Sequence, residues 1–166
     1  MPIISMSARR YAEHSRRVCL AALVTEALTR EAIGRLVLAS ITNVFGDVSK
    51  LAPLAEATQT ERARLGYSEN DPLLRSGELR NSLELAMRDG GFVVGTNDER
   101  MVWLEYGYAP HNLPPRPAIG IGIQEITPVV QRVMYLTVQA LARGDVQPLV
   151  RFLVAAETAA ASQVRY

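Results

Sequence analysis

With 166 residues and 18.2 kDa, 48% hydrophobic and 21% charged, the chain has the size and balance of one compact globular domain and is too short for two ordinary ones. Its 18 basic and 17 acidic residues leave a formal net charge of +1, so no bulk excess of charge exists to hold a nucleic acid or an anionic membrane, and such a partner must be met locally. A single cysteine, Cys19, excludes an internal disulfide, His14 and His111 add little to a zinc donor set, and 6% aromatic residues are few for a single-strand stacking platform.

The most apolar early stretch, Val18 to Leu28, is interrupted by Thr25 and Glu26 and falls short of the roughly 20 residues that span a bilayer. Residues 1 to 17 have no apolar core and no small-residue cleavage site follows them, which argues against a secretory signal. A soluble chain that stays where it is made is expected.

From Ser7 to Phe45 there is no proline and one glycine, Gly34, and good helix formers dominate, so a long helix is expected. Leu20, Leu23, Val24, Ala27 and Leu28 share one stripe, while Ile33, Leu36, Val37, Ile41 and Val44 share another turned away from it. The helix should kink or change partner near Gly34 and end at Gly46-Asp47. Val48 to Asp71 reads as an excursion with a short helix between Thr58 and Arg64.

Beyond Asp71-Pro72, Leu83, Leu85 and Met87 alternate with Ser82, Glu84, Ala86 and Arg88, the period of a strand with one buried face. Asp89-Gly90-Gly91 supplies positive φ values for a tight turn, and Phe92 to Thr96 reads as the returning strand of a β-hairpin. Asn97-Asp98 can cap the next element, Met101 to Tyr106 fits a short helix or a third strand, and Gly107 closes it. Pro110, Pro114, Pro115 and Pro117 make 107–118 an extended, semi-rigid loop. Ile119, Ile121 and Ile123, alternating with Gly120 and Gly122, give a weak strand signal, and Thr127-Pro128 reads as a helix start with proline at its first position. That helix should run to Arg143. Gly144 ends it, and Asp145 caps a last helix with Leu149, Val150, Phe152, Leu153 and Ala156 on its apolar face.

The pattern is an α+β fold: a long N-terminal helical region, a small antiparallel sheet built on the hairpin, and C-terminal helices. As one domain over 1–166, it divides into a helical arm (1–46), an α+β core with hairpin and proline-rich loop (47–123) and C-terminal helices (124–166).

Catalytic chemistry finds little support. Cys19 lies in an apolar helical stripe, where a buried inert thiol is expected. His14 sits one turn from Arg10 and Arg17 on a solvated face, and the carboxylate pairs Glu61 and Glu69 or Asp98 and Glu99 read as solvent-facing charges. A hydrolase would have to use Glu105 and His111 without a third group. Gly120-Ile121-Gly122 lacks the lysine and third glycine of a phosphate cradle. No catalytic residue, metal or cofactor is expected. Arg9, Arg10, Arg16 and Arg17, against one Glu13, give residues 1–25 a local charge of +3, read as a solvated helix start with DNA or a protein partner as the other possible contact.

Several small motifs follow one another in a distinctive order. Pro53-Leu54, Thr58 or Thr60, and Arg62 precede the run Leu73-Leu74-Arg75-Ser76-Gly77-Glu78-Leu79-Arg80-Asn81-Ser82-Leu83; Val94-Gly95-Thr96-Asn97, Trp103-Leu104-Glu105-Tyr106-Gly107 and Leu113-Pro114-Pro115-Arg116-Pro117-Ala118 come after it. Over roughly 50–122 this order resembles the tailed-bacteriophage virion morphogenesis or tail completion family, to which neck and minor tail proteins of the Mu and lambda types are related. The resemblance implies a structural virion protein without enzymatic activity, assembled as a ring, commonly of six subunits, in the neck or head-proximal tail after assembly in the host cytoplasm. It implies head-completion and tail-tube or tail-terminator proteins as neighbours, genomic DNA passing through the lumen, and no membrane partner.

Carried onto this sequence, the resemblance has Leu74, Ser76, Gly77 and Leu79 lead into the hairpin through Ser82, and Gly95 to Asn97 turn out of its second strand. Glu105, Tyr106 and Gly107 then lead into the loop stiffened by Pro115, Arg116 and Pro117. With Val93 and Thr96 on the hairpin, these are the candidate subunit and partner contacts, and Glu105 is the first partner to consider for Arg116. Met101-Val102 departs from the Tyr-Ala that usually opens the Glu-aromatic-Gly segment, Ile119 to Gly122 replace an aromatic, and the helix after Asp145 lies outside the shared core. The rival of another class is a small DNA-binding protein that uses the N-terminal arginine-rich helix.

Overall fold

The computed structural model describes residues 8–163; the expectations for residues 1–7, and those for the side chains of Leu23, Val24 and Ala27, lie outside the described residues. In chain order the elements are α1 (Ala8–Thr42), α2 (Glu56–Arg64), α3 (Glu78–Asn81), β1 (Glu84–Arg88), β2 (Gly91–Gly95), α4 (Arg100–Tyr106), a 3-10 turn (Ala109–His111), α5 (Ala118–Arg143) and α6 (Gln147–Ser162). Among the described residues the fold is α+β, mostly helical, with one two-stranded antiparallel sheet.

α1 and α5 form an antiparallel pair. Ser40 Oγ donates to Gly122 O at 2.8 Å, Thr29 and Thr137 hydroxyls meet at 3.4 Å, and Arg17 lies beside Gly144. α6 folds back after Gly144, whose φ of +66° ends α5, and Asp145 Oδ1 accepts from Gln147 N–H to start the new helix. Ala32, Val133, Leu136, Leu149 and Leu153 bury one core between these three helices, with Ile33 and Phe152 against it.

The other core gathers Ile41, Val44, Phe45, Leu51, Leu79, Leu83, Met101 and Ala118. α1 stays helical through Gly34, so the expected change takes the form of a new partner: Ala32 serves the three-helix core and Ile41 the core under the sheet. Gly34 itself is a contact point. A Cβ there would lie 2.7 Å from Leu85 Cδ1 and 3.4 Å from Phe92 Cδ2, so its bare backbone seats the hairpin on α1.

The hairpin pairs Glu84 with Gly95, Leu85 with Val94, Ala86 with Val93, Met87 with Phe92 and Arg88 with Gly91. Alternation therefore places Leu85, Met87, Phe92 and Val94 on the face toward α1. Burial fades along it, from buried Leu83 through half-buried Leu85 to exposed Met87, because the hairpin outruns its helical cover. Of the three turn residues only Gly90 has a positive φ, +78°, and Gly91 already belongs to β2.

Three expectations are corrected. No strand forms at 119–123, and α5 does not begin at Thr127-Pro128: it begins at Ala118 and carries Pro128 inside it. The boundary drawn between 123 and 124 thus falls within a helix. Gly120 and Gly122 are helical, and Gly122 lets two backbones approach, since a Cβ there would lie 2.7 Å from Ile41 Cα. Pro128 sits on the exposed side, where its missing N–H and its clash with the preceding turn, typically about 3 kcal/mol, are outweighed by α5 packing on α1. Cys19 is exposed and not buried; Leu20 beside it is 63% exposed, so this part of the stripe faces away from the bundle. The helix or strand left open at Met101 to Tyr106 is a helix, closed by Gly107 at a φ of +79°.

Gly122→Ala should destabilise by about 1–3 kcal/mol, because overpacking against backbone outweighs the gain in helix propensity of about 1 kcal/mol. Gly95→Ala, where a Cβ would meet nothing within 4 Å, should leave stability within about 0.5 kcal/mol. Urea unfolding of both variants checks the contrast.

Candidate functional site

Apart from the arginines at the start of α1, most of the residues singled out by sequence fall into three places: the hairpin, the segment from α4 to the start of α5, and an arginine-lined cavity. At the hairpin's base, Asp98 N–H donates to Thr96 Oγ1 at 3.0 Å, Thr96 and Ser82 hydroxyls meet at 2.7 Å, and Ser82 Oγ donates to Leu79 O at 2.8 Å. Ser82 spends its one proton on the carbonyl, so Thr96 donates to Ser82. This relay joins the two strands to α3 and leaves neither hydroxyl idle.

Above it, Glu84, Ala86, Arg88, Val93 and Gly95 line an open groove of about 400 Å³ with Asn97 and Asp98 at its end. Val93 is 56% exposed at the centre. Asp98 is held by Arg100, whose Nε and Nη2 reach its carboxylate at 2.9 Å and 2.6 Å. That hydrogen bond holds the Asp98 carboxyl below the usual carboxylate range.

Glu105 does not pair with Arg116 in the chain. Its Oε2 accepts from Ile119 N–H at 3.0 Å and its Oε1 from Gly120 N–H at 2.8 Å, so it caps the N-terminus of α5, where orphan donors and the helix dipole favour a carboxylate. That cap is the signal missed in the sequence: it lets a helix begin at Ala118, directly after Pro117. Tyr106, the next residue, is 80% exposed. Val102 and Trp103 are exposed on the same short helix, and Trp103, Tyr108 and His111 stack in a row at centroid spacings of 5.3 Å and 5.2 Å. Gly107 is required twice over, by its positive φ and because a Cβ would lie 3.0 Å from Leu113 O.

Arg116 is buried between exposed Pro115 and Pro117. Its N–H donates to Leu104 O at 2.6 Å, and its guanidinium reaches Ala52 O and Pro53 O, each at 3.3 Å. It therefore ties the proline-rich loop to α4 and to the segment before α2, a loop-fixing role. Arg62 on α2 is likewise buried, and its Nη1 donates to Asp71 O at 2.9 Å. With Arg75, Ser76, Gly77, Leu79 and Leu113 they line a cavity of about 240 Å³. Burial and then Arg75 hold the Arg62 pKa below its ordinary value, with Asp71 opposing and Arg116 adding; burial alone does so for Arg116. Leu73, also at this wall, holds a left-handed φ of +64°, a strained conformation for a bulky residue.

Leu79 is a core residue at the wall of this cavity, and Leu74 is half-buried against Gly46. Ser76 is exposed and Gly77, at a φ of +80°, turns the chain into α3. On α1, Arg9 pairs with Glu13 at 3.3 Å, while Arg10, Arg16 and Arg17 are exposed. These arginines lie on the start of α1 and not beside the hairpin groove or the cavity lining. Among the described residues no group of His, Cys, Asp and Glu could hold a metal ion, and no helix is long and apolar enough to cross a membrane. Compared with family models, with curated proteins and with solved structures, the chain matches none.

Glu105→Gln should cost about 0.5–2 kcal/mol, the usual value of a helix cap, and should loosen the first turn of α5 while leaving α6 intact. Amide hydrogen exchange at Ala118 to Ile121, set against exchange in α6, reads this directly.

Proposed function

We propose that this chain is a structural virion protein of a tailed bacteriophage, one subunit of a ring at the head–tail junction that joins head to tail and continues the DNA channel. The observation that carries the reading is the hairpin. It is a sheet of only two strands, covered by α1 on one face and open on the other, with Val93 exposed at the centre of the open groove. Two-stranded sheets are marginal alone, and an unpaired edge is a template for another chain. Beside it in sequence, Trp103 and Tyr106 expose the residue types that anchor interfaces. The proline-rich loop is fixed by Arg116 before any partner arrives, which lowers the ordering cost of docking.

In this reading the partners are copies of the same chain, probed first as a ring of six, then the adjoining head-completion and tail-tube or tail-terminator proteins. The chain works in the virion after assembly in the host cytoplasm, and it binds and positions without catalysing. DNA passing through the lumen has to slide, so strong phosphate binding along the channel would hinder it. Arg9 pairs with Glu13 on the surface, and in this reading the α1 arginines face protein or solvent, against the alternative of a small DNA-binding protein.

Purified protein should sediment as a closed oligomer and image as a ring. Val93→Glu sets an unpaired charge on the exposed face of β2 and should weaken assembly while the far-ultraviolet circular dichroism stays native; normal assembly by a natively folded variant would exclude the hairpin face as the contact.

Free subunits should bind a random duplex only weakly at physiological salt. Fluorescence anisotropy checks this: submicromolar binding that collapses when Arg9, Arg10, Arg16 and Arg17 become alanine would favour the DNA-binding reading.

A further inference from the structure

The cavity between α2, the loop before α3, α4 and the proline-rich loop gathers four arginines and no acidic side chain in its lining. We propose that it is a carboxylate-binding site, and that its ligand is an acidic side chain presented by another protein subunit, held by Arg62, Arg75 and Arg116. The assignment concerns the ligand's chemistry and stands or falls apart from the ring reading.

Arg100, the fourth arginine, is engaged by Asp98 and lies 3.9 Å from Glu78, so its charge is already answered. The other three form no ion pair among the described residues. Arg62 and Arg116 are only 9% and 7% exposed. Their hydrogen-bond acceptors are main-chain carbonyls of Asp71, Ala52 and Pro53, which carry no charge, and the Asp71 carboxylate favours the charged Arg62 less than burial and Arg75 oppose it. Arg75 lies 5.0 Å above the Tyr67 ring, an arrangement that positions a guanidinium without neutralising it. Arginine is almost never fully buried without a partner, because burying an unanswered charge is costly. Here cations repel one another within walls supplied by Leu54, Leu73, Leu79, Leu104 and Leu113, and an anion entering the cavity would relieve both penalties.

Size and recess decide between anions. At about 240 Å³ the cavity is smaller than the about 300–1,000 Å³ of ordinary small-molecule sites. A carboxylate on a narrow side-chain stem can reach recessed guanidiniums and meet the planar fork of arginine. A duplex phosphate is flanked by sugars and is ordinarily met by exposed side chains, so it suits this recess poorly. Ser76 and Gly77 line the cavity beside the arginines, and the strained Leu73 holds one wall.

The test is thermal unfolding of the full chain at constant ionic strength, titrated with N-acetylglutamate α-amide, with chloride, inorganic phosphate and a short DNA duplex as separate arms. A ligand that binds only the folded state raises the midpoint with a saturating dependence. The glutamate derivative should do so beyond chloride and at lower concentration than phosphate, with no response to duplex. Arg75→Ala, at an exposed position, should keep the fold and weaken the apparent affinity about tenfold, the usual effect of losing one contact to a charged group; Arg75→Gln is a second variant of the same kind. No rise beyond chloride, an undiminished rise in the Arg75 variants, or a stronger response to phosphate or duplex would overturn the assignment.

Discussion

The bare backbone of Gly122 against Ile41 is the contact from which the other positions follow. A Cβ there would lie 2.7 Å from Ile41 Cα, so two helices meet at a separation that only glycine permits, and Ser40 fixes their register through the Gly122 carbonyl. The same stretch of α1 that receives α5 also serves the core beneath the hairpin, through Ile41, Val44 and Phe45. Glu105 then ties α4 to the start of α5, and Arg116 ties the intervening loop to α4 and to the segment before α2. Displacing α5 would therefore move α4, the proline-rich loop and the cavity together.

This arrangement explains how a small two-stranded sheet can present an open face. β1 and β2 supply too few strands to hold themselves, but α1 backs them where Gly34 admits Leu85, and the relay through Thr96 and Ser82 fastens their base. Rigidity comes from the helical side, and the outer groove stays uncovered. Arginines are used in opposite ways at the two ends of the molecule. On α1 they are solvated or locally paired, as Arg9 is with Glu13. At the cavity Arg62 and Arg116 are buried against carbonyls, where each charge-assisted bond strengthens the loop while the desolvated charge still favours an anion.

Local chemistry made much of this legible in the sequence. Asp89-Gly90 marked the hairpin turn, alternation marked its strands, and Gly107, Gly144 and Asp145 marked ends and caps, because each acts through its own backbone or its immediate neighbours. Long-range chemistry did not announce itself. The glycines at 120 and 122 alternate with isoleucines as they would in a strand; their helical role depends on Ile41, far away in sequence, and on a cap from Glu105. Arg116 and Glu105 looked like natural partners, yet each found main-chain groups instead. Cys19 sat in an apolar run, but a stripe's composition does not say whether another element arrives to cover it, and here Leu20 and Cys19 are exposed. The expected likeness to phage tail completion proteins rests on an order of short motifs. Several of those motifs, Arg62, Ser76-Gly77, Leu104, Leu113 and Arg116, converge on one cavity, a convergence that spacing alone could not display.

The central claim is that the open hairpin face is where one copy of the chain meets the next. Amide hydrogen exchange measured across a range of protein concentrations tests it without altering a residue. Assembly through this face predicts slower exchange between 84 and 96 as concentration rises, with α6 unchanged. Exchange in the hairpin that is indifferent to concentration, in protein shown by its mass to be assembled, would contradict the account.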